Sequence, residues 1–191
     1  AGEAVFSDIA IDSAAVDYRL VVSAAGAAPD TSASFTVFPG EAALLVFDEE
    51  PSLTTQRVPF SPPVQLSLRD SIGNVATADT SRGVTLAIVE GTGTPGALLS
   101  YATSSTSDGV VVFDGLSIDT SGTNYRLSAA AGSFSALSEP FTILADTASQ
   151  LEISVQPTSV NQDDSITPGL EVRALTAGGF IDSSYEDTVR V

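Results

Sequence analysis

The chain repeats itself with a period the length of a small domain. Val5-Phe6-Ser7-Asp8-Ile9-Ala10-Ile11-Asp12 returns 107 positions later as Val112-Phe113-Asp114-Gly115-Leu116-Ser117-Ile118-Asp119. Tyr18-Arg19-Leu20 returns at the same spacing as Tyr125-Arg126-Leu127. Phe35-Thr36-Val37-Phe38 and Pro51 return 106 positions later as Phe141-Thr142-Ile143-Leu144 and Pro157. Solenoid repeats run about 20–50 residues; a period this long is that of a whole domain. The sequence is therefore expected to fold as an array of one module, starting and stopping in mid-module. Its function belongs to the array, not to a single pocket.

The module reads as all-β. Val64-Gln65-Leu66-Ser67-Leu68-Arg69 alternates apolar and polar residues, so Val64, Leu66 and Leu68 share one buried face. Tyr125, Leu127 and Ala129 do the same in their segment, and Leu44–Phe47, Val84–Ile88, Val110–Phe113 and Phe141–Leu144 are further strands. Turn signals separate them: Asp70-Ser71-Ile72-Gly73-Asn74, with Gly and Asn where positive φ is cheap, and Gly91-Thr92-Gly93-Thr94-Pro95-Gly96. No helical stripe appears. Short strands at this spacing predict an antiparallel sandwich, with Phe47, Val64, Leu66, Leu68, Val111, Phe113, Leu127 and Phe141 in one core.

Ile118 to Leu127, and again Ile11 to Leu20, carry the pattern of a tyrosine corner, in which a Tyr hydroxyl bonds back to the preceding loop backbone. Tyr125 and Tyr18 are its two candidates. Module boundaries fall near Gly40 and Ala145: residues 1–40 are the C-terminal part of one module, 41–145 a complete module, and 146–191 the N-terminal part of a further one. Pro39-Gly40-Glu41 and Ala145-Asp146-Thr147 are too short to let modules swing freely, which predicts a semi-rigid rod. Each partial module has an unpaired edge and an uncovered apolar face, including Phe6, Ile9 and Ile11. The partners called for are neighbouring modules of the same chain, or adjacent subunits, completing those halves; pairing of the two halves within one chain is a third possibility.

The string Pro62-Pro63-Val64-Gln65-Leu66-Ser67-Leu68-Arg69-Asp70-Ser71-Ile72-Gly73-Asn74 resembles the PVxVxVxDxxGN segment of bacterial immunoglobulin-like repeats of the invasin/intimin type. Gly109–Phe113 and Tyr125–Ala129 extend the resemblance over the complete module and, more weakly, over both partial ones. In the third module Arg173-Ala174-Leu175-Thr176-Ala177-Gly178-Gly179-Phe180 departs from the Asp-x-x-Gly-Asn form. The resemblance implies tandem immunoglobulin-like Greek-key β-sandwich modules, one complete and two partial, of the kind that build extracellular stalks and adhesins.

Composition narrows the chemistry. Seven basic residues, all Arg, face 24 acidic ones, for a net charge of −17. Such a surface repels nucleic acid and anionic lipid. Without Cys there are no disulfides or thiolate metal sites; without Lys there is no Lys–Asn isopeptide bond. No apolar run is long enough to insert into a membrane. With His, Lys and Cys absent, a Ser nucleophile lacks its usual base, and scattered loop carboxylates read as solvated surface. Asp48-Glu49-Glu50 and Asp163-Asp164 are the densest acidic spots, but the first aligns with Ser154-Val155-Gln156, and neither has the spacing of a calcium loop. Asp12 and Asp119 recur before the Tyr and are assigned to an Asx-type turn feeding the corner. Arg19 and Arg126 point outward and are assigned to surface ion pairs with a neighbouring strand. Asn74, Asn124 and Asn161 open no N-glycosylation sequon.

No catalytic, cofactor-binding or metal-ligating residue is therefore assigned, and no enzyme activity or cofactor. The expected role is a spacer in a repetitive bacterial surface or extracellular fibre or adhesin. The alternatives are an adhesive module for carbohydrate or protein, and an acidic surface-layer or coat subunit.

Overall fold

The computed structural model describes residues 2–182 and 185–191. Every regular element among them is a strand. The first forty residues hold β1 (Ala15–Tyr18), β2 (Val21–Val22), β3 (Asp30–Thr31) and β4 (Phe35–Val37), paired as β1 with β4 and β2 with β3. The central stretch holds β5 (Leu44–Glu49), β6 (Thr54–Thr55), β7 (Val64–Arg69), β8 (Gly83–Ile88), β9 (Leu99–Ser100), β10 (Thr103–Ser105), β11 (Val110–Phe113), β12 (Ser117–Ile118), β13 (Gly122–Tyr125), β14 (Leu127–Ala131), β15 (Phe134–Leu137) and β16 (Phe141–Leu144). The last stretch holds β17 (Ala148–Val155) and β18 (Glu171–Thr176), paired antiparallel.

The central stretch is sandwich-like. One sheet runs β11-β7-β5, the other β10-β8-β14-β15, and a third set runs β13-β16-β6. Their inward faces meet in one core. Val64, Leu66 and Leu68 of β7, Val111 and Phe113 of β11, Leu127 of β14 and Phe141 of β16 are buried in it, as the alternation predicts. Phe47 is the exception: it packs against the core but is only half-buried. It lies on β5, the edge of its sheet, where the register with β7 slips between Phe47 and Glu49. There the chain leaves this sheet, and Thr54 and Thr55 pair in parallel with Ile143 and Leu144 of β16. The second and last strands of the stretch thus close on each other.

The correspondence seen in the sequence extends to backbone detail. β1 pairs β4 through Ala15↔Val37 and Tyr18↔Phe35; β13 pairs β16 through Gly122↔Ile143 and Tyr125↔Phe141, with the same register slip. The extra residue in each, Asp17 and Asn124, has φ near 60°, a conformation that Asn and Asp tolerate better than most residues. β17 likewise repeats the register of β5, with slips at Ile153/Val155 and Phe47/Glu49.

The sequence pattern misleads at the N-terminus. Residues 2–12 form no strand, although they match β11 and β12. β11 pairs with β7 and β12 with β9, whereas among the described residues no strand pairs with residues 2–12. Without a ladder partner the alternating pattern has nothing to bond. Phe6 and Ile9 are exposed, while Ile11 is half-buried. Among the described residues no strand of the first forty pairs with one of the last stretch.

Candidate functional site

Each corner is built the same way. The Tyr125 hydroxyl donates to the Thr120 carbonyl at 2.9 Å, and the Tyr18 hydroxyl donates to the Ser13 carbonyl at 2.9 Å. The rings stack on Phe141 and Phe35, at centroid distances of 5.9 and 6.0 Å. A second shared device is absent from the sequence reading. The Ser138 hydroxyl accepts the Leu127 N–H at 2.8 Å and donates to the Glu139 carbonyl. Ser32 does the same for Leu20 and Ala33. Each serine thereby gives a partner to the N–H of the leucine two residues after the corner Tyr. The signal was a Ser repeated 106 positions apart, but nothing local distinguishes it from other loop serines.

Other assignments change. Asp119 does not close an Asx turn, because the Ser121 N–H goes to Gln56 Oε1. Its carboxylate instead takes the Leu98 N–H at 2.7 Å and the Thr120 hydroxyl at 2.8 Å, bracing two loops. The Asp12 carboxylate takes the Ser13 hydroxyl, at 3.5 Å. Arg19 and Arg126 form no ion pair among the described residues. The loop read from composition at 91–96 has a packing duty: Gly93, at φ +63, lies so close to the Tyr125 ring that a Cβ there would collide with it.

The turn after β7 joins this stretch to the one before it. One Asp70 oxygen accepts the N–H groups of Ile72, Gly73 and Asn74 at 2.8–3.0 Å. The other accepts the Asn74 amide at 3.0 Å and the Gly40 N–H at 2.9 Å. Those bonds, led by Asn74 and Gly40, hold the carboxyl well below the usual carboxylate range. Gly73 supplies the positive φ, 104°, but Asn74 does not have one. Its side chain serves another purpose: Nδ2 donates to the Asp12 carbonyl at 2.8 Å, and Oδ1 accepts the Ala14 N–H at 3.0 Å. Arg69 braces the turn from behind, bonding the Gly73 carbonyl at 3.0 Å and Asp48 at 2.6 Å. A cleft of about 370 Å³ lies along this seam, lined by Ala14, Val16, Val37, Phe38, Asn74 and Val75.

The turn after β18 keeps the backbone and changes the side chains. The Thr176 N–H donates to Phe180 O, as Asp70 N–H does to Asn74 O; Gly179 repeats Gly73. Thr176 replaces Asp70 and Phe180 replaces Asn74. The Phe180 ring lies under the Arg57 guanidinium, 4.6 Å from its centre, and Asp182 accepts the Ala148 N–H at 2.9 Å within its own stretch.

The acidic spots are dispersed by use. Asp48 pairs with Arg69, and Glu50 accepts the Glu139 N–H at 3.1 Å. Burial pushes the Glu50 carboxyl up, a shift that this hydrogen bond opposes and the Glu139 charge reinforces. Asp164 bonds Asn161 at 3.1 Å. Among the described residues no three acidic side chains gather as ligands for a cation.

No family model and no curated protein matches the chain. Among solved structures it is similar to domains 4–9 of the surface layer protein SbsC, at 15% identity over 82% of this chain and 23% of that one, with a TM-score of 0.37. It is similar also to domains 1–6 of that protein, at 16% identity over 82% and 19% of the two chains, with a TM-score of 0.37. The chain spans about a fifth of the length of those structures.

Proposed function

We propose that the chain is a stretch of an extracellular rod, a spacer in a bacterial surface fibre or adhesin. Its units are tandem immunoglobulin-like Greek-key modules, bounded near Gly40 and Ala145, with neighbouring modules completing the two partial ones. The observation that carries this reading is the bonded seam. Asn74 and Asp70 bind Asp12, Ala14 and Gly40 across a boundary where a flexible spacer would make no side-chain contacts. A tether needs only length; a rod needs each unit to fix the direction of the next. The parallel closure of β6 on β16 and the twice-built tyrosine corner support the immunoglobulin-like part of the reading. The acidic surface suits such a rod, since net charge keeps copies apart.

Small-angle X-ray scattering of the chain tests this. A compact 191-residue globule has a radius of gyration of about 16 Å. An array of units held end to end should exceed that clearly, while its Kratky plot still returns toward baseline. A radius near that of the globule would overturn the rod.

A further inference from the structure

One backbone donor is used differently at the two seams. The Ala14 N–H donates to Asn74, a residue of the following stretch, at 3.0 Å. Its counterpart 107 positions on, the Ser121 N–H, donates to Gln56 Oε1 of its own stretch, also at 3.0 Å. Gln56 is held in place by its backbone: its N–H donates to Leu144 O at 2.9 Å, continuing the parallel pairing of β6 with β16. The Ser121 carbonyl is engaged as well, by the Thr94 hydroxyl at 2.7 Å. An N–H has one proton to give. With that proton committed to Gln56, an amide arriving from the third stretch finds no donor where Asn74 finds one. The residue in the place of Asn74 is Phe180, and it meets Arg57, the neighbour of Gln56.

We infer that Gln56 is the specificity-determining residue of the second seam. By occupying the Ser121 N–H it excludes a clasp of the Asn74 kind and selects a flat ring that stacks on Arg57. A corner loop whose N–H is open accepts a turn bearing Asn; a loop filled from within accepts an aromatic turn. The two seams then differ in stiffness. Asn74 is held by directional hydrogen bonds on both sides of its amide, whereas a ring under an exposed guanidinium is free to slide. This rests on reading both turns as junctions between modules.

Amide hydrogen exchange of the whole chain by NMR reads Ala14 and Ser121 separately. Gln56→Ala should speed exchange at Ser121 about five- to tenfold, the loss of one net hydrogen bond, and leave Ala14 unchanged. Asn74→Ala should do the reverse. Combining Gln56→Ala with Phe180→Asn should restore protection at Ser121; Phe180→Asn alone should remove the Arg57 stacking without forming a clasp. Should Gln56→Ala lose the native spectrum, Gln56→Asn withdraws the oxygen by one methylene and must also speed Ser121. Unchanged exchange at Ser121 in a folded Gln56 variant, or no recovery in the double variant, overturns the assignment. Either result is independent of the scattering experiment, which reports shape and not this contact.

Discussion

Replacing Tyr125 by Phe tests the corner with almost no change in packing. The ring is fully buried, stacks on Phe141 and fills the space beside Gly93. Phenylalanine keeps all of that. Only the hydroxyl, 2.9 Å from the Thr120 carbonyl, is lost. A net hydrogen bond contributes about 0.5–1.5 kcal/mol, and an acceptor left dry costs about 1–3 kcal/mol. Thr120 is half-buried, so water reaches its carbonyl in part. The expected loss is about 1–2 kcal/mol, which for a unit of about 100 residues lowers Tm by about 5–15 °C. Tyr18 makes the same 2.9 Å bond to an exposed Ser13, where water replaces the hydroxyl readily. Tyr18→Phe should therefore cost about 0.5 kcal/mol or less. Urea unfolding followed by far-ultraviolet circular dichroism measures both, because the midpoint of the transition is read against each variant's own folded and unfolded baselines. If Tyr125→Phe costs no more than Tyr18→Phe, or falls within about 0.3 kcal/mol of wild type, the hydroxyl is not what holds the corner.

Four further outcomes follow from the same geometry. Phe113→Ala empties the middle of the core and should cost about 3–5 kcal/mol in the same assay; a loss under about 1 kcal/mol would mean that the site collapses freely. Gly93→Ala meets both a positive φ and the Tyr125 ring, so it should cost about 2–4 kcal/mol, and an unchanged midpoint would refute the contact. The folded pKa of Asp70 lies below its unfolded value, so its stabilisation is present above about pH 4 and fades as pH falls further; the gap in urea midpoint between wild type and Asp70→Asn should shrink from pH 7 to pH 3, and a widening gap reverses the sign. Calcium should raise Tm only slightly, by relieving repulsion among 24 carboxylates; a rise of many degrees, reversed by chelator, would reveal a specific site.

Much of the central stretch was legible because its signals are local. Val64, Leu66 and Leu68 alternate with polar residues, and period two places them on one face whatever the strand pairs with. The two tyrosines were legible because their acceptors lie five residues back, within the same loop. The same alternation places Phe47 in the core, but β5 is the edge of its sheet, and among the described residues no strand pairs outside it. Residues 2–12 carry the pattern of β11 and β12 yet form no strand, because a strand exists only with a partner. The local pattern keeps Asp119 within its own loop, whereas its carboxylate bonds both Thr120 there and the Leu98 N–H, 21 positions away.

By itself the sequence determined the period, the strand alternation, the turn positions and the acidic, catalytically poor surface. These are properties of composition and of spacing along the chain. Only the tertiary structure decided which donor meets which acceptor: Ser138 carrying the ladder to Leu127, Gln56 filling the Ser121 N–H, Asn74 reaching Asp12 and Ala14, Phe180 turning to Arg57. The physical reason is competition. Each hydrogen-bonding group has few partners to share and many candidates within the sequence. Which candidate wins is settled when the sheets close and the rival groups have been engaged elsewhere.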